Sequence, residues 1–132
     1  MKSILFILSA LLLTSCATKM AAQDDSQIGQ ELIGEWQLDM SPQNPDDENF
    51  AKMIVREVSD GSFTGIFYRD GVRIREGRLN QQTGTLYGAL VSGDNSGVYN
   101  TAFYLKDGKL YGSTHAIGRG FLSVWVGEKM KR

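Results

Sequence analysis

The chain has 132 residues, a formal net charge of −1, and 42% hydrophobic and 22% charged residues, which fits a single globular domain. This near-neutral charge gives no electrostatic basis for binding nucleic acid. One cysteine and one histidine exclude an internal disulfide, a multi-cysteine zinc module and the usual histidine-rich metal sites, so we expect no metal and no cofactor.

The first 15 residues have the features of an export signal. Lys2 precedes the apolar run of residues 4–13 (ILFILSALLL). This run is too short to span a bilayer, since a spanning helix needs about 20 residues. Leu13-Thr14-Ser15-Cys16 then places the single cysteine directly after small residues. The stretch resembles the lipobox of bacterial lipoproteins, which implies that residues 1–15 are removed and that Cys16 is lipidated.

The same resemblance implies a location in the cell envelope. Palmitate-type acyl chains on Cys16 would anchor the protein, because each buried CH₂ contributes about 0.8 kcal/mol. Ala17 stands where an aspartate signals inner-membrane retention in enteric-type sorting. The outer membrane is therefore favoured, with the protein facing the periplasm or the surface. Residues 16–30 are mostly small and polar, and we interpret them as a lipidated, flexible tether.

From residue 31 onward the pattern is that of antiparallel strands. Short alternating runs are separated by turns, and three Asp-Gly pairs (Asp60-Gly61, Asp70-Gly71 and Asp107-Gly108) have the composition that tight hairpin turns need. The turn spacing is typical of a sandwich or a barrel. The pattern predicts an all-β domain over residues 31–132 with about eight strands, near residues 32–40, 52–59, 62–69, 72–79, 84–92, 98–106, 109–116 and 120–130.

Gly34-Glu35-Trp36, a Gly-x-Trp on the first predicted strand, resembles the lipocalin-like (calycin) superfamily. The resemblance implies a small up-and-down barrel in which Trp36 closes one end and a basic residue of the last strand, Lys129 or Lys131, covers its ring. Residues 61–65 (GSFTG) are also similar to a hairpin of the avidin branch. Phe67 stands where that branch has a tyrosine, so biotin binding is not expected.

Hairpin register predicts which side chains face the barrel interior, because opposed residues share a face. Two-residue turns at Asp60-Gly61 and Asp70-Gly71 place Arg56 and Glu76 on either side of Gly65, with Arg78 nearby. The same face carries the more apolar set, so we point it inward: Ile54, Val58, Phe63, Phe67, Val72 and Ile74. Buried charges must be paired, which predicts an interior Arg56–Glu76 ion pair. The alternatives are a solvated rim and an anchor for an anionic ligand.

The third turn, Asp107-Gly108, points Tyr99, Thr101 and Thr114 inward and His115 outward. The surface position of His115 argues against a catalytic role. Strands near 84–92 and 120–130 are apolar on both faces, so their facing stays open.

These features favour a non-catalytic protein that binds a small anionic or amphipathic ligand inside the barrel. The predicted ligand contacts are Arg56, Glu76, Arg78, Tyr99, Thr101 and Thr114. One histidine and the absence of a Gly-x-Ser-x-Gly motif make serine hydrolysis unexpected. Residues 94–97 (DNSG) lack the remaining ligands of a calcium loop and are interpreted as a polar turn.

Two alternatives involve a protein partner. Residues 96–99 (SGVY) resemble a loop of the membrane-bound lysozyme inhibitors, which suggests an inhibitor. Residues 24–48 contain eight acidic residues and no basic one, a surface by which a structural assembly lipoprotein could dock on an envelope partner.

Overall fold

The computed structural model describes residues 27–131, so Cys16, the predicted signal sequence and most of the predicted tether lie outside the described residues. Eight strands form a closed antiparallel barrel in which each strand pairs with its neighbours in the chain and the last pairs with the first. They are β1 (Gly34–Asp39), β2 (Phe50–Ser59), β3 (Ser62–Tyr68), β4 (Glu76–Asn80), β5 (Tyr87–Asp94), β6 (Gly97–Lys106), β7 (Lys109–Ala116) and β8 (Phe121–Lys129). The predicted all-β, eight-stranded, up-and-down barrel is confirmed.

The up-and-down order gives the barrel two different ends. At the lower end lie the chain entry, the turns at Asp60-Gly61 and Asp107-Gly108, and the loop of residues 81–86. At the upper end lie residues 40–49, residues 69–75, the turn at 95–96 and the short 3-10 turn Ile117–Arg119.

The lower end is closed by Trp36 and its neighbours. The Trp36 indole N–H donates to the Leu32 carbonyl at 2.8 Å. Lys129 Nζ lies 5.6 Å from the centroid of the indole ring and donates to the Glu31 carbonyl at 2.8 Å. Of the two predicted lysines, Lys129 is therefore the one that covers the tryptophan. Gly34 leaves room for it, because a Cβ there would lie 2.8 Å from Lys129 Cε.

Aromatic side chains fill the middle of the lumen. The ring centroid of Trp125 lies 6.0 Å from that of Phe67 and 6.4 Å from that of Phe103. Gly112 does not leave a void, because a Cβ there would lie 2.3 Å from the Trp125 ring. The largest fully buried side chains are Trp36, Trp125, Phe67, Leu32, Leu38, Met53, Leu110 and Val55.

The predicted register of β2 against β3 holds only near the turn. Val58 pairs with Phe63 as predicted, but Val55, not Arg56, pairs with Gly65. Arg56 is the extra residue of a β-bulge and is exposed. Gly65 is required there because a Cβ would lie 1.8 Å from the Ile54 carbonyl oxygen.

Because of the bulge, the residues of β2 that precede Arg56 face the opposite way from the prediction. Met53 and Val55 are buried, whereas Ile54, predicted to point inward, is only half-buried. The remaining members of the predicted inward set, from Val58 to Ile74, are buried or half-buried.

The predicted register of β3 against β4 is wrong by one residue. Ser62, not Phe63, pairs with Arg78, because the chain is irregular next to the Asp70-Gly71 turn, where Tyr68 has a φ of 88°. A slip of one residue exchanges the two faces of a strand. Gly77 and Leu79 therefore face inward, and Glu76 and Arg78 lie outside in contact with solvent.

The structure settles the facing of the two strands left open by the sequence. On β5, Gly88, Leu90 and Ser92 are buried. On β8, Trp125 and Gly127 are buried, whereas Leu122 and Val124 are exposed on the outer face.

Candidate functional site

A cavity of about 220 Å³ lies at the upper end of the lumen, above the aromatic layer. Its walls come from the upper parts of β3, β6, β7 and β8 and from the two ends of the β1–β2 connection. Most of its lining is apolar or aromatic, with hydroxyl and amide groups between. The lining residues are Met40, Asn49, Phe67, Tyr68, Tyr99, Thr114, Ala116, Arg119, Phe121 and Ser123.

A buried hydroxyl pair lies at the lower limit of the cavity, and Thr114 is the member that lines it. Thr101 and Thr114 are directly opposed on β6 and β7, and their Oγ1 atoms are 2.9 Å apart. The Trp125 indole N–H donates to Thr114 Oγ1 at 3.0 Å. These hydrogen bonds satisfy polar groups that would otherwise be costly to bury, and they hold the Trp125 ring to Thr114 below the cavity.

Tyr99 lies at the rim and belongs to a second polar network. Its hydroxyl donates to Asp94 Oδ1 at 3.0 Å, and the Ser96 hydroxyl contacts both. Arg69 Nη2 lies 2.8 Å from Asp94 Oδ2, and the Asp94 side chain is 12% exposed. Hydrogen bonds from the Ser96 hydroxyl and backbone N–H, with smaller effects of Tyr99 and Arg69, lower the pKa of Asp94 below its usual value. Asp94 therefore stays ionised and holds the rim together.

Arg119 is the cation at the mouth. It ends the 3-10 turn between β7 and β8, and its guanidinium carbon lies 4.8 Å from the centroid of the Phe121 ring. Within residues 27–131, no carboxylate lies within ion-pair distance of Arg119, whereas Arg69 is engaged by Asp94. An arginine whose guanidinium lies over an aromatic ring keeps its N–H donors available to an anion.

Ser92 adds an unsatisfied polar group to the interior. It is fully buried on β5 and pairs with Tyr99 in the sheet register. Its Oγ has no hydrogen-bond partner among the described residues. Such a group is costly to bury without a partner, and Ser92 does not line the cavity.

The structure brings together half of the predicted ligand contacts. Tyr99, Thr101 and Thr114 face the upper lumen, as predicted, although their role in binding stays a prediction. The prediction that the three charged residues face the lumen is wrong. Glu76 and Arg78 form an exposed ion pair at 3.3 Å on the outer face, and Arg56 is exposed at the bulge, so the predicted interior Arg56–Glu76 pair does not form.

Sequence reasoning missed Arg119 and Phe121. The available signal was a lone cation between Gly118 and Gly120 in the turn before the last strand. That turn becomes part of the mouth only once β8 pairs with β1 and closes the barrel.

Residues 94–97 form a polar turn rather than a calcium loop, since the Ser96 N–H and hydroxyl bind Asp94. Across residues 27–131, no group of three or more His, Cys, Asp or Glu side chains is placed to hold a metal ion. The described part of the chain also contains no helix with the length and apolarity needed to cross a bilayer. Comparisons with protein-family models, curated proteins and solved structures found no significant match to this chain.

Proposed function

We propose that this protein is a lipid-anchored, lipocalin-like barrel of the bacterial envelope that binds a small amphipathic anion in its upper lumen, without catalysis. The observation that carries the proposal is a cavity with a mainly apolar and aromatic lining, the Thr114 hydroxyl at its floor and, at its mouth, an arginine with no carboxylate at ion-pair distance among residues 27–131. An apolar pocket with a few convergent polar groups is the usual form of a small-ligand site.

The dimensions of the cavity limit the ligand. A volume of about 220 Å³ is below the roughly 300–1,000 Å³ of sites that take drug-sized molecules. It equals the share of about seven water molecules in the liquid. A short aliphatic or single-ring carboxylate fits, with its apolar part against Phe67 and Tyr68 and its carboxylate at Arg119.

The anchoring part of the proposal is supported by the sequence alone. The Leu13-Thr14-Ser15-Cys16 stretch supports acylation, with outer-membrane placement as the favoured outcome. Intact mass of the protein extracted from membranes should show acyl chains at Cys16, and Cys16→Ala should release the protein into the soluble fraction. An unmodified Cys16 in membrane-extracted material would contradict this part.

The ligand proposal is tested with sodium octanoate as probe and octanol as its neutral analogue. The protein is the chain from residue 17 onward, which contains the whole barrel. We expect saturable octanoate binding, followed by NMR, with the largest amide shifts at Tyr99 and Thr114. Arg119→Gln should weaken octanoate binding by a factor of about 10 to 100, since a hydrogen bond to a charged partner contributes about 1.5–3 kcal/mol. The same substitution should leave octanol binding unchanged.

Arg56→Gln is the matched control, because Arg56 is also an exposed arginine but lies outside the barrel at the bulge. It should leave octanoate affinity unchanged. Absence of saturable binding, or equal weakening by both substitutions, would contradict the proposal.

The lysozyme-inhibitor alternative gains no support from the geometry of residues 96–99. The hydroxyls of Ser96 and Tyr99 are bonded to Asp94 within the protein, so this hydrogen-bonding capacity is already used inside the chain.

A further inference from the structure

Four exposed apolar side chains lie together at the upper end, beside the mouth of the cavity. Ile117 is in the 3-10 turn, Phe121 and Leu122 are the first two residues of β8, and Val98 is the second residue of β6. Leu122 is 64% exposed and Ile117 50% exposed. We call these four residues the apolar tip. Phe121 belongs both to the tip and to the cavity lining, so the tip is continuous with the mouth.

The charges around the tip favour an anionic partner. From residue 97 to residue 127 the only acidic residue is Asp107, which lies in a turn at the lower end. Arg119 projects from the tip itself, and His115 is opposed to Leu122 in the sheet register. The exposed acidic residues of the upper end lie on other elements: Asp46, Asp47 and Glu48 in the β1–β2 connection, Asp70 in the β3–β4 connection and Glu76 at the start of β4. Asp70 and Glu76 each lie near a cation, Lys52 at 3.5 Å and Arg78 at 3.3 Å.

Exposed aliphatic and aromatic side chains around a cation, with the exposed carboxylates on other elements, match the interfacial region of a bilayer that contains anionic lipid. We infer that the apolar tip docks on an anionic lipid surface and presents the mouth of the cavity to it. The inference rests on the proposed lumen site for the identity of the guest, which would then be an amphiphile taken from the bilayer.

The geometry of the anchor permits docking on the same membrane that holds Cys16. A ten-residue strand such as β6 rises about 33 Å, and a strand tilt of about 40° reduces this to a barrel height of roughly 25 Å. The chain enters at the lower end, and residues 17–26 can extend over at most about 35 Å. This reach exceeds the barrel height, so the anchored barrel can turn its upper end toward its own membrane.

The test uses the chain from residue 17 onward, which lacks the acylation site, and sedimentation with vesicles. We expect binding to phosphatidylcholine vesicles containing 30% phosphatidylglycerol, and weaker binding to pure phosphatidylcholine. The double variant Ile117→Ser, Leu122→Ser should lower the partition coefficient about tenfold or more, since two aliphatic side chains no longer enter the acyl region. Neither residue lines the cavity.

Tyr87→Ser is the matched control, because Tyr87 is as exposed as Ile117 but begins β5 at the lower end. It should leave the partition coefficient unchanged. Paramagnetic broadening from a spin-labelled lipid should be strongest in residues 117–122. The inference would be overturned if both variants lost vesicle binding equally or if the protein did not bind vesicles at all. A dimer in ultracentrifugation that Leu122→Ser dissociates would also overturn it.

Octanoate binding separates this inference from the proposed function. Octanoate binding without vesicle binding would overturn the docking inference and leave the lumen site intact. Vesicle binding without octanoate binding would support docking and contradict the lumen site.

Discussion

Individual residues of the upper rim are coupled through the Asp94 carboxylate. It receives hydrogen bonds from the Ser96 N–H and hydroxyl and from the Tyr99 hydroxyl, and it pairs with Arg69. All of these interactions favour the ionised form. One side chain therefore positions the aromatic wall of the cavity and the turn between β5 and β6.

Acidification should reveal this coupling. The pKa of Asp94 is lowered in the folded protein, so its stabilising contribution is fully present above the unfolded-state pKa of about 3.9. The contribution is lost as the pH falls through the lower, folded-state value. We expect the free energy of unfolding to decrease below about pH 4 in the wild type.

Asp94→Asn should be less stable than the wild type at pH 7, and its stability should fall less steeply below pH 4. Urea unfolding between pH 2 and pH 7 measures both effects. Asp46→Asn, in the exposed β1–β2 connection, is the control and should follow the wild-type profile. Parallel profiles for the wild type and Asp94→Asn would contradict the assignment.

At the scale of secondary-structure elements, the accuracy of the sequence prediction follows the regularity of each hairpin. The β6–β7 hairpin was predicted pair by pair because Asp107-Gly108 is a two-residue turn followed by uninterrupted alternation. The β2–β3 hairpin was predicted correctly as far as Val58 and Phe63 and incorrectly beyond the bulge at Arg56. A bulge exchanges the inward and outward positions of a strand, but no residue type in the sequence marks it. The alternation of apolar and polar residues alone could therefore not locate it.

The same limit explains the outcome for the candidate site. Tyr99, Thr101 and Thr114 lie in the regular hairpin, and their inward facing was predictable. The prediction placed the three charged residues on the wrong face because the strands are irregular near them: Arg56 is the bulge residue itself, and Glu76 and Arg78 follow the irregular chain at Tyr68. Arg119 lies in a turn whose neighbours across the mouth, Met40 and Asn49, are distant in sequence.

The bulge itself is testable by deletion. Removing Arg56 leaves Val55 opposite Gly65 and Glu57 opposite Thr64, so every other side chain of β2 keeps its face. We expect this variant to fold with a loss of stability within about 3 kcal/mol. Removing Ile54 instead moves Met53 to the outer face and should abolish the folded state.

Thermal unfolding followed by circular dichroism, with an NMR fingerprint of each variant, distinguishes these outcomes. If both deletions are equally tolerated, or if both unfold the barrel, Arg56 is not the extra residue of the strand.

At the scale of the whole molecule, closure of the cylinder depends on β8 pairing with β1. Lys129 strengthens this seam from the lower end, since its ammonium group contacts the Trp36 ring and donates to the Glu31 carbonyl. It thereby joins the last strand to the segment that precedes the first.

Lys129→Ala should lower the free energy of unfolding by about 1–2 kcal/mol, because it removes a cation–π contact and a hydrogen bond together. Lys131→Ala, which changes an exposed lysine two residues later, is the control and should have no measurable effect. Chemical denaturation midpoints provide the measurement, and equal effects of the two substitutions would exclude a specific role of Lys129.

The packed aromatic layer below the Thr101–Thr114 pair divides the barrel into a solid base and a hollow cup. Cohesion of the molecule resides in the base, whereas the shape and polarity of the cup depend on a few rim side chains. Substitutions of cavity-lining residues that do not bond to Asp94 can therefore alter which ligand is accepted without lowering the stability of the barrel. The ligand selectivity of the barrel could therefore change, in nature or by engineering, with little loss of stability.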